Sequence, residues 1–227
     1  MPAFADPSDP SQAVQWPLPQ PWPADHPPLR LGVMASGDGS NFEALVQATR
    51  SGPLNGEVAL LVVNRPDCGA IARAERLQVP WQLRDHRDHP DRRSLDHALI
   101  ADFRAAGVEM VALAGWMRIV TPVLITAFPE RLVNIHPSLL PSFRGIDAVG
   151  QALAAGVTIT GCTAHLVAEE VDAGPILVQA AVPVRAGDDT IRLAARIHRQ
   201  EHRILPLAVA LAAARLARLA RPPGAQG

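Results

Sequence analysis

The hydrophobic positions of the chain fall into short apolar runs that alternate with longer segments of helical periodicity. The first run covers residues 29–35, and a helical pattern follows over residues 41–51. Further strands are expected at residues 58–64, 81–84, 108–114 and 132–136, and further helices at residues 69–77, 91–106 and 122–127. Such alternation indicates parallel strands joined by helical crossovers. We therefore predict a Rossmann-like α/β domain with a mostly parallel sheet and helices on both faces.

The pattern changes after residue 147. A helix is expected at residues 148–154, followed by two β-rich runs, 158–167 and 176–184, with a short loop between them. Such a pair predicts a late antiparallel extension at the sheet edge. The last helix is predicted over residues 189–218, with a break at Pro206, because proline removes a backbone hydrogen bond and clashes with the preceding turn.

Proline content divides the chain into regions. Residues 1–28 are crowded with proline and show no periodicity, so we predict a disordered extension there. One folded domain is expected over residues 29–220, with a flexible tail over residues 221–227. A chain of 227 residues with 48% hydrophobic content has the size of one domain with tails.

Composition excludes several classes of function. No apolar run reaches the roughly 18 residues that span a bilayer, and no secretory signal is visible, so we expect a cytoplasmic protein. A net charge of -1 gives no basic surface for nucleic acid. All 21 basic residues are Arg, which excludes a Schiff-base lysine and a P-loop lysine. Cys68 and Cys162 lack metal-site spacing, and we expect two buried thiols, with a disulfide as the alternative.

The stretch LVNIHPSLLP (132–141) carries the strongest candidate chemistry. Asn134 and His136 lie two residues apart on a predicted strand and therefore project to the same face. An amide that can hydrogen-bond an oxyanion, beside an imidazole that moves protons at neutral pH, suits acyl-type transfer. The alternative is a core histidine beside a capping Asn. Two prolines that fix the exit path, and a carboxylate downstream, favour the chemical interpretation.

Residues 36–41, SGDGSN, lie between the first strand and the helix that follows it. Glycine permits positive φ and a close backbone approach, and the N–H groups of a helix start form an anion site. Ser40 or Asn41 can cap the helix or donate to a phosphate. The spacing matches neither the dinucleotide motif nor the Walker motif. It predicts a phosphate site, with a ligand-free turn as the alternative.

The loop between the two late β runs contains three carboxylates. Glu169 and Glu170 have the composition of a solvated turn, whereas Asp172 can reach back to His136. A carboxylate beside an imidazole favours its protonated form. His165 alternates with apolar residues and either faces the same cleft or is a structural histidine. A metal site formed by His136, His165 and Asp172 lacks the usual ligand spacing, so no metal is expected.

Several motifs together resemble the phosphoribosylglycinamide formyltransferases, the folate-dependent enzymes of purine synthesis. The motifs are SGDGSN (36–41), LAGWMRIV (113–120), NIHPSLLP (134–141), VDAGPI (171–176) and QEH (200–202). The resemblance runs from about Leu29 to about Leu207, and it marks residues 29–220 as a formyltransferase domain. NIHPSLLP alone marks the wider superfamily of enzymes that use formyltetrahydrofolate.

The resemblance implies that the amine of glycinamide ribonucleotide attacks the formyl carbon of 10-formyltetrahydrofolate, which serves as co-substrate. Asn134 would stabilise the oxyanion, His136 would be the general acid and proton relay, and Asp172 would tune the protonation of His136. The ribonucleotide is expected to contact Gly39, Ser40, Asn41, Phe42, Glu43 and Glu201. The folate is expected to contact Arg92, Met117, Arg118, Ile119, Val120, Asn134, Ala168, Glu169, Glu170, Val171 and Asp172.

Two features depart from the family pattern. Asp38 stands where relatives often have Asn, so a carboxylate lies near the expected phosphate. This charge should weaken binding unless the side chain points to solvent. Residues 142–147 replace a Pro-Gly and a nearby His found in many relatives, so no catalytic residue is assigned in that loop.

Other functions compete with this interpretation. Formyltetrahydrofolate deformylase shares the Asn, His and Asp set, but it carries an N-terminal regulatory domain for which residues 1–28 are too short. Methionyl-tRNA formyltransferase would need a further RNA-binding barrel and a more basic surface. A non-catalytic phosphate-binding domain is the alternative from another class. We expect small-molecule substrates, no nucleic acid or membrane partner, and a monomer or homodimer.

Overall fold

A computed structural model of the chain describes residues 15–17, 28–52 and 54–220. Within these residues eight strands form one mixed sheet. The strands are β1 (Gln15–Trp16), β2 (Leu29–Ala35), β3 (Gly56–Val63), β4 (Trp81–Leu83), β5 (Met110–Leu113), β6 (Leu132–His136), β7 (Ile159–Leu166) and β8 (Ile176–Pro183). Their order across the sheet is β1-β8-β7-β6-β5-β2-β3-β4. Strands β6, β5, β2, β3 and β4 run parallel, whereas β7, β8 and β1 continue the sheet in antiparallel pairs.

Helices cover both faces of this sheet. They are α1 (Ser40–Ser51), α2 (Gly69–Arg76), α3 (Arg92–Ala105), α4 (Pro122–Ala127), α5 (Ala148–Ala154) and α6 (Thr190–Ala220). Successive side chains of β2 point to opposite faces, so Leu31 and Val33 join a core with α1, α2 and α6, while Met34 joins a core with α3 and α4. The predicted Rossmann-like fold with its antiparallel extension is confirmed. None of the helices in the described part of the chain is long and apolar enough to cross a membrane.

Side-chain caps set the starts of several helices. Asp91 accepts a hydrogen bond from the N–H of Ser94 and begins α3, and Asp147 caps α5 in the same way. Thr121 caps α4, with a proline in the first turn. The predicted start of the third helix at residue 91 is therefore one residue early, because Asp91 is the cap and not the first helical residue.

The last helix is continuous, and the predicted break at Pro206 is wrong. Helix α6 runs through this proline over 31 residues. Leu205, Ala208 and Val209, on either side of Pro206, are fully buried in the core against the sheet. Tertiary packing of this face offsets the loss of the hydrogen bond that proline removes. A prediction from local sequence alone does not take this packing into account.

The N-terminal extension is not entirely without structure. Strand β1 pairs antiparallel with the edge of β8, with Gln15 opposite Ala180 and Trp16 opposite Gln179. The prediction of disorder over residues 1–28 is therefore wrong for these two residues. Most of the remaining extension, and the predicted tail over residues 221–227, lie outside the described residues.

Both cysteines are free and buried. Burial raises the pKa of the Cys162 thiol well above its usual value, so this thiol stays protonated and unreactive. The expectation of two buried thiols is confirmed.

Candidate active site

A cleft opens where the parallel strands β2, β5 and β6 end. The chain leaves these strands in three loops that surround a cavity of about 530 Å³. Strand β2 lies between β3 and β5, so the connections diverge from this point to the two sides of the sheet. Ligands of open α/β sheets bind in such a crevice at the carboxyl ends of the strands.

Most of the residues predicted for the site line this cleft. Those from the ribonucleotide set are Gly39, Ser40, Asn41 and Glu201. Those from the folate and catalytic sets are Met117, Arg118, Ile119, Val120, Asn134, His136, Ala168, Glu169, Val171 and Asp172.

The remaining predicted residues lie beside the cleft. The side chain of Phe42 is fully buried in the core, so only its backbone can reach a ligand. Glu43 is bound by two arginines of α2. Arg92 is exposed at the start of α3, and Glu170 pairs with Arg144 at 2.6 Å. Substrate contacts by Glu43, Arg92 and Glu170 stay predictions.

An amide, an imidazole and a carboxylate meet in the cleft. Asn134 and His136 project from β6, and Asp172 projects from the loop between β7 and β8. Asp172 Oδ2 lies 3.3 Å from His136 Nδ1, and Asp172 Oδ1 lies 3.5 Å from Asn134 Nδ2. The side chains of His136 and Asp172 are 6% and 8% exposed, so water screens their interaction weakly.

The ring of His136 lies between two oxygen acceptors. Its Nε2–H donates to the backbone carbonyl of Phe143 at 2.8 Å, while Nδ1 faces Asp172. A carbonyl oxygen can only accept, so Nε2 carries a proton, and Nδ1 donates to the carboxylate when it is protonated too. Both bonds form together only in the imidazolium, the form that can act as a general acid.

Asp172 is held in its ionised form by its surroundings. Burial by itself raises the pKa of a carboxyl group, but hydrogen bonds from His165 and from the N–H of Gly145, together with the charge of His136, outweigh it. The pKa of Asp172 therefore lies below its usual value. The bond from Gly145 to Asp172 Oδ2 measures 2.9 Å.

His165 lines the same cleft, and both of its ring nitrogens also have partners within the protein, so each alternative from the sequence describes it in part. It lies opposite Asn134 across β6 and β7. Its Nδ1–H donates to the Leu166 carbonyl at 2.8 Å, and its Nε2 lies 3.1 Å from Asn134 Nδ2 and 3.6 Å from Asp172 Oδ1. The two N–H groups of the amide face His165 Nε2 and, at 3.5 Å, Asp172 Oδ1, so an oxygen of a ligand would take the place of the longer contact. The contact between Asn134 and His165 depends on the antiparallel register of β6 and β7, and the sequence alone does not give that register.

No metal centre accompanies this cluster. Among residues 28–52 and 54–220, no group of three or more His, Cys, Asp and Glu side chains is arranged to hold a metal ion. The chemistry that the cleft can perform with its own groups is proton transfer and hydrogen-bond stabilisation of an oxyanion.

The loop after β2 brings the N-terminus of α1 to the cleft. Gly39 has φ 82°, a left-handed conformation that favours glycine. A Cβ at this position would lie 2.7 Å from the Cα of Ala70, so the close contact with α2 also requires glycine. The first N–H groups of a helix have no partner within the helix and attract anions. The loop therefore has the backbone geometry of an anion site.

A buried carboxylate lies beside this loop. Asn41 Nδ2 donates to Glu201 Oε2 at 2.8 Å and connects the start of α1 to α6. Burial raises the pKa of Glu201, and the bond from Asn41 and the nearby His198 and His136 offset this effect only in part. Asn41 Oδ1 is buried and has no hydrogen-bond partner in the described part of the chain, so it can accept a hydrogen from a ligand.

The segment after β5 gives the cleft an apolar wall. Met117 and Ile119 are 72% and 53% exposed although they are apolar. The segment is anchored at both ends, because the N–H of Met117 donates to Ser36 Oγ at 2.9 Å and the N–H of Thr121 donates to Asp96 Oδ2 at 2.6 Å. Exposed apolar side chains on a fixed backbone indicate a surface that binds the apolar part of a ligand.

The loop that departs from the family pattern contacts the cluster through its backbone. Phe143 supplies the carbonyl that binds His136, and Gly145 supplies the N–H that binds Asp172. Phe143 and Asp147 have φ of 56° and 55°, in the left-handed region. This conformation is unusual for a bulky aromatic residue such as Phe143. Sequence reasoning missed these contacts because they depend on backbone direction and not on side-chain type.

Comparison with known proteins identifies the family. A match to the formyl transferase family spans residues 29–209. Phosphoribosylglycinamide formyltransferase of Bacillus subtilis is 41% identical over 177 residues, which cover 78% of this chain and 91% of that protein. The trifunctional purine biosynthetic protein adenosine-3 of Gallus gallus is 41% identical over 185 residues, which cover 82% of this chain but 18% of that protein. The chain thus spans less than a fifth of the trifunctional relatives.

Solved structures show the same similarity in three dimensions. The crystal structure of glycinamide ribonucleotide transformylase 1 from Symbiobacterium toebii superposes with a TM-score of 0.81 at 45% identity, over 82% of this chain and 88% of that one. Phosphoribosylglycinamide formyltransferase from Bacillus halodurans gives a TM-score of 0.78 at 36% identity, over 87% of this chain and 100% of that one. With the family match, the cleft and the fold in agreement, the chain belongs to the formyl transferase family.

Proposed function

We propose that this protein transfers the formyl group of 10-formyltetrahydrofolate to the amine of glycinamide ribonucleotide in purine synthesis. The observation that carries the proposal is the contact of Asn134, His136 and Asp172 in a cleft that also receives the N-terminus of α1. The cluster suits acyl transfer, and the helix terminus suits a phosphate. Relatives named for this reaction support the choice of acceptor.

The two substrates would occupy different walls of the cleft. The phosphate of the ribonucleotide would lie on the N–H groups of Gly39, Ser40 and Asn41. Asn41 Oδ1 and Glu201 would bind the ribose and the glycinamide end. The pterin of the folate would lie along the apolar wall at Met117 and the three residues after it, with residues 168–172 closing over it.

The chemistry is an addition followed by an elimination. The amine nitrogen attacks the formyl carbon, a C–N bond forms, and the carbonyl electron pair moves to oxygen, where an N–H of Asn134 stabilises it. The tetrahedral adduct then breaks its bond to the folate nitrogen. His136 gives that nitrogen a proton, and the proton lost by the attacking amine restores the imidazolium. Asp172 stabilises the imidazolium throughout, and no metal is needed.

The proposal also gives the setting of the reaction. Both substrates are small, soluble molecules, so the enzyme would work in the cytoplasm on free metabolites. Neither substrate is a macromolecule, so we expect no protein or nucleic-acid substrate.

The test is the formation of tetrahydrofolate from 10-formyltetrahydrofolate, followed with and without glycinamide ribonucleotide. We expect product only when the ribonucleotide is present, and we expect His136→Ala to abolish it. His97→Asn, at an exposed histidine of α3, is the matched control and should behave as wild type. Release without the ribonucleotide would identify a deformylase instead. No release under either condition would identify a non-catalytic phosphate-binding domain.

A further inference from the structure

A carboxylate stands inside the loop that is proposed to bind phosphate. Asp38 lies between two glycines of this loop, lines the cleft, and has a side chain that is 70% exposed. A phosphate at the start of α1 is negatively charged, and a like charge a few ångströms away opposes its binding. Phosphate binding here therefore requires that the charge of Asp38 be neutralised or that its side chain point away from the phosphate.

Arg73 of α2 binds Asp38 through both its side chain and its backbone. Arg73 Nη2 lies 2.6 Å from Asp38 Oδ2, and Arg73 Nε–H donates to the Asp38 carbonyl oxygen at 2.8 Å. Because one guanidinium binds both groups, the carboxylate is held against α2 and is not free to turn over the start of α1. The Arg73 side chain is 29% exposed, so this contact is partly shielded from water.

The charges around Arg73 balance as a group. Arg73 also pairs with Glu43, and Arg76 contacts the other oxygen of Glu43 at 2.8 Å. Two carboxylates and two guanidiniums therefore have no net charge together. Removal of Arg73 alone would leave one uncompensated negative charge, and Asp38 is the carboxylate that would then have lost its partner in this group.

The phosphate loop is attached to α2 at further points. The N–H of Ala70 donates to the Gly37 carbonyl at 3.1 Å, and Ala70 also limits the space beside Gly39. Arg73 lies one helical turn beyond Ala70 on α2 and extends this contact. Helix α2 thus holds the loop by its backbone and Asp38 by an ion pair.

We infer that Arg73 is a positioning residue for ribonucleotide binding, which neutralises Asp38 and directs its carboxylate away from the phosphate. The inference rests on the proposed function for the identity of the phosphate-bearing substrate. It places Arg73 behind the loop and not in contact with the substrate. It also accounts for the presence of an acidic residue in this loop.

Steady-state kinetics of the full-length enzyme test this role. Arg73→Gln should raise the KM for glycinamide ribonucleotide by on the order of tenfold and change the KM for the folate by less than about twofold. Arg76→Gln is the matched control, because it removes the same charge from the same helix but does not touch Asp38, and it should change neither KM by more than about twofold. Adding Asp38→Asn to Arg73→Gln should restore the KM for the ribonucleotide.

The rescue distinguishes a charge effect from a structural one. Restoration by Asp38→Asn, with no change in Arg76→Gln, supports the inference. An unchanged KM in Arg73→Gln, or a raised KM that Asp38→Asn does not restore, overturns it. If Arg73→Gln does not fold, the double variant decides alone, since a KM near that of wild type supports the inference and a raised KM overturns it.

Calorimetric binding separates this inference from the proposed function. Affinity for the ribonucleotide can be measured in the same variants without turnover, and we expect the same pattern of loss and rescue. Absence of formyl transfer in the wild type would contradict the proposed function. If Arg73→Gln binds the ribonucleotide as tightly as wild type, or if Asp38→Asn does not restore its lost affinity, the role of Arg73 is overturned, whatever the rate of turnover.

Discussion

His136 and His97 are the same side chain in different surroundings. His97 is exposed on α3, whereas His136 is buried, donates from Nε2 to a backbone carbonyl, and faces a carboxylate with Nδ1. In the same way, Asn134 is oriented by its bond to His165. At the residue scale, the proposed chemistry therefore depends on neighbours that orient each group, and loss of a neighbour should cost activity as well.

The first prediction concerns the two residues of β6. Asn134→Ala removes a donor to the developing oxyanion, and the loss of one such donor lowers turnover by on the order of a hundredfold or more. His136→Ala should be at least as damaging. Both variants should keep the fold, which circular dichroism can check. Turnover close to that of wild type in either variant would contradict the mechanism.

The second prediction concerns Asp172. Asp172→Asn keeps the shape of the side chain but removes its charge, so kcat should fall by on the order of a hundredfold while the KM values change little. The measurement is a full kinetic comparison of both substrates. An Asp172→Asn variant with full activity would show that Asp172 is only a turn residue.

The same variant gives a test that depends on pH. Because the pKa of Asp172 is lowered in the folded protein, its ionised form stabilises the fold above its ordinary pKa of about 3.9, and this contribution is lost as the pH falls through the lower value. The Tm of Asp172→Asn should therefore lie furthest below that of wild type near neutral pH, and the gap should narrow below about pH 4. A gap that is constant with pH would contradict the lowered pKa.

At the scale of elements, the substrate walls depend on anchors behind them. The segment after β5 is fixed where Asp96 of α3 accepts from the N–H of Thr121. Asp96 is 2% exposed, and burial raises its pKa although the bonds from Thr121 oppose this shift. The apolar wall of the cleft is therefore held in place by a buried carboxyl group of α3.

The third prediction removes this anchor. Asp96→Ala leaves the half-buried N–H of Thr121 without its partner, which should destabilise the protein by about 1–3 kcal/mol and raise the KM for the folate more than the KM for the ribonucleotide. Asp96→Asn keeps an acceptor oxygen and is the matched control. Denaturant unfolding and kinetics measure the two effects, and equal shifts in both KM values would contradict the proposed folate wall.

Much of the fold follows from the sequence, but its exceptions have specific causes. Strands that are buried in the sheet consist of apolar runs, and such runs can be recognised in the sequence. The bounds of β2 and β6 are therefore predicted correctly, with glycine or proline just after each strand. The continuity of α6 past Pro206 depends on tertiary packing, which no local pattern contains. The bond from His136 to the Phe143 carbonyl depends on the direction of a backbone, and the position of His165 depends on strand register.

At the scale of the whole molecule, one sheet connects the N-terminal extension to the site. Strand β1 lies on the edge of β8, which pairs with β7, and β7 pairs with the strand that carries Asn134 and His136. Two strands thus lie between β1 and the strand that carries Asn134 and His136. Strand β1 is in a position to support the edge of the sheet.

The fourth prediction follows from the position of β1 at the edge of the sheet. Deletion of residues 1–27 removes the pairing of β1, so stability should fall by only about 1 kcal/mol, while kcat and both KM values stay within error. Thermal unfolding and kinetics of the shortened chain measure this. A large loss of turnover would show that the extension reaches the cleft.

The fate of the formyl group tests the proposed function most directly. Enzyme in excess is mixed with glycinamide ribonucleotide and with 10-formyltetrahydrofolate that carries an isotopic label in its formyl group, and the products of a single turnover are separated. We expect all transferred label on the amine nitrogen of the ribonucleotide, in equal amount to the tetrahydrofolate formed, and none with His136→Ala. Label recovered as free formate would contradict formyl transfer to an amine and identify a hydrolase.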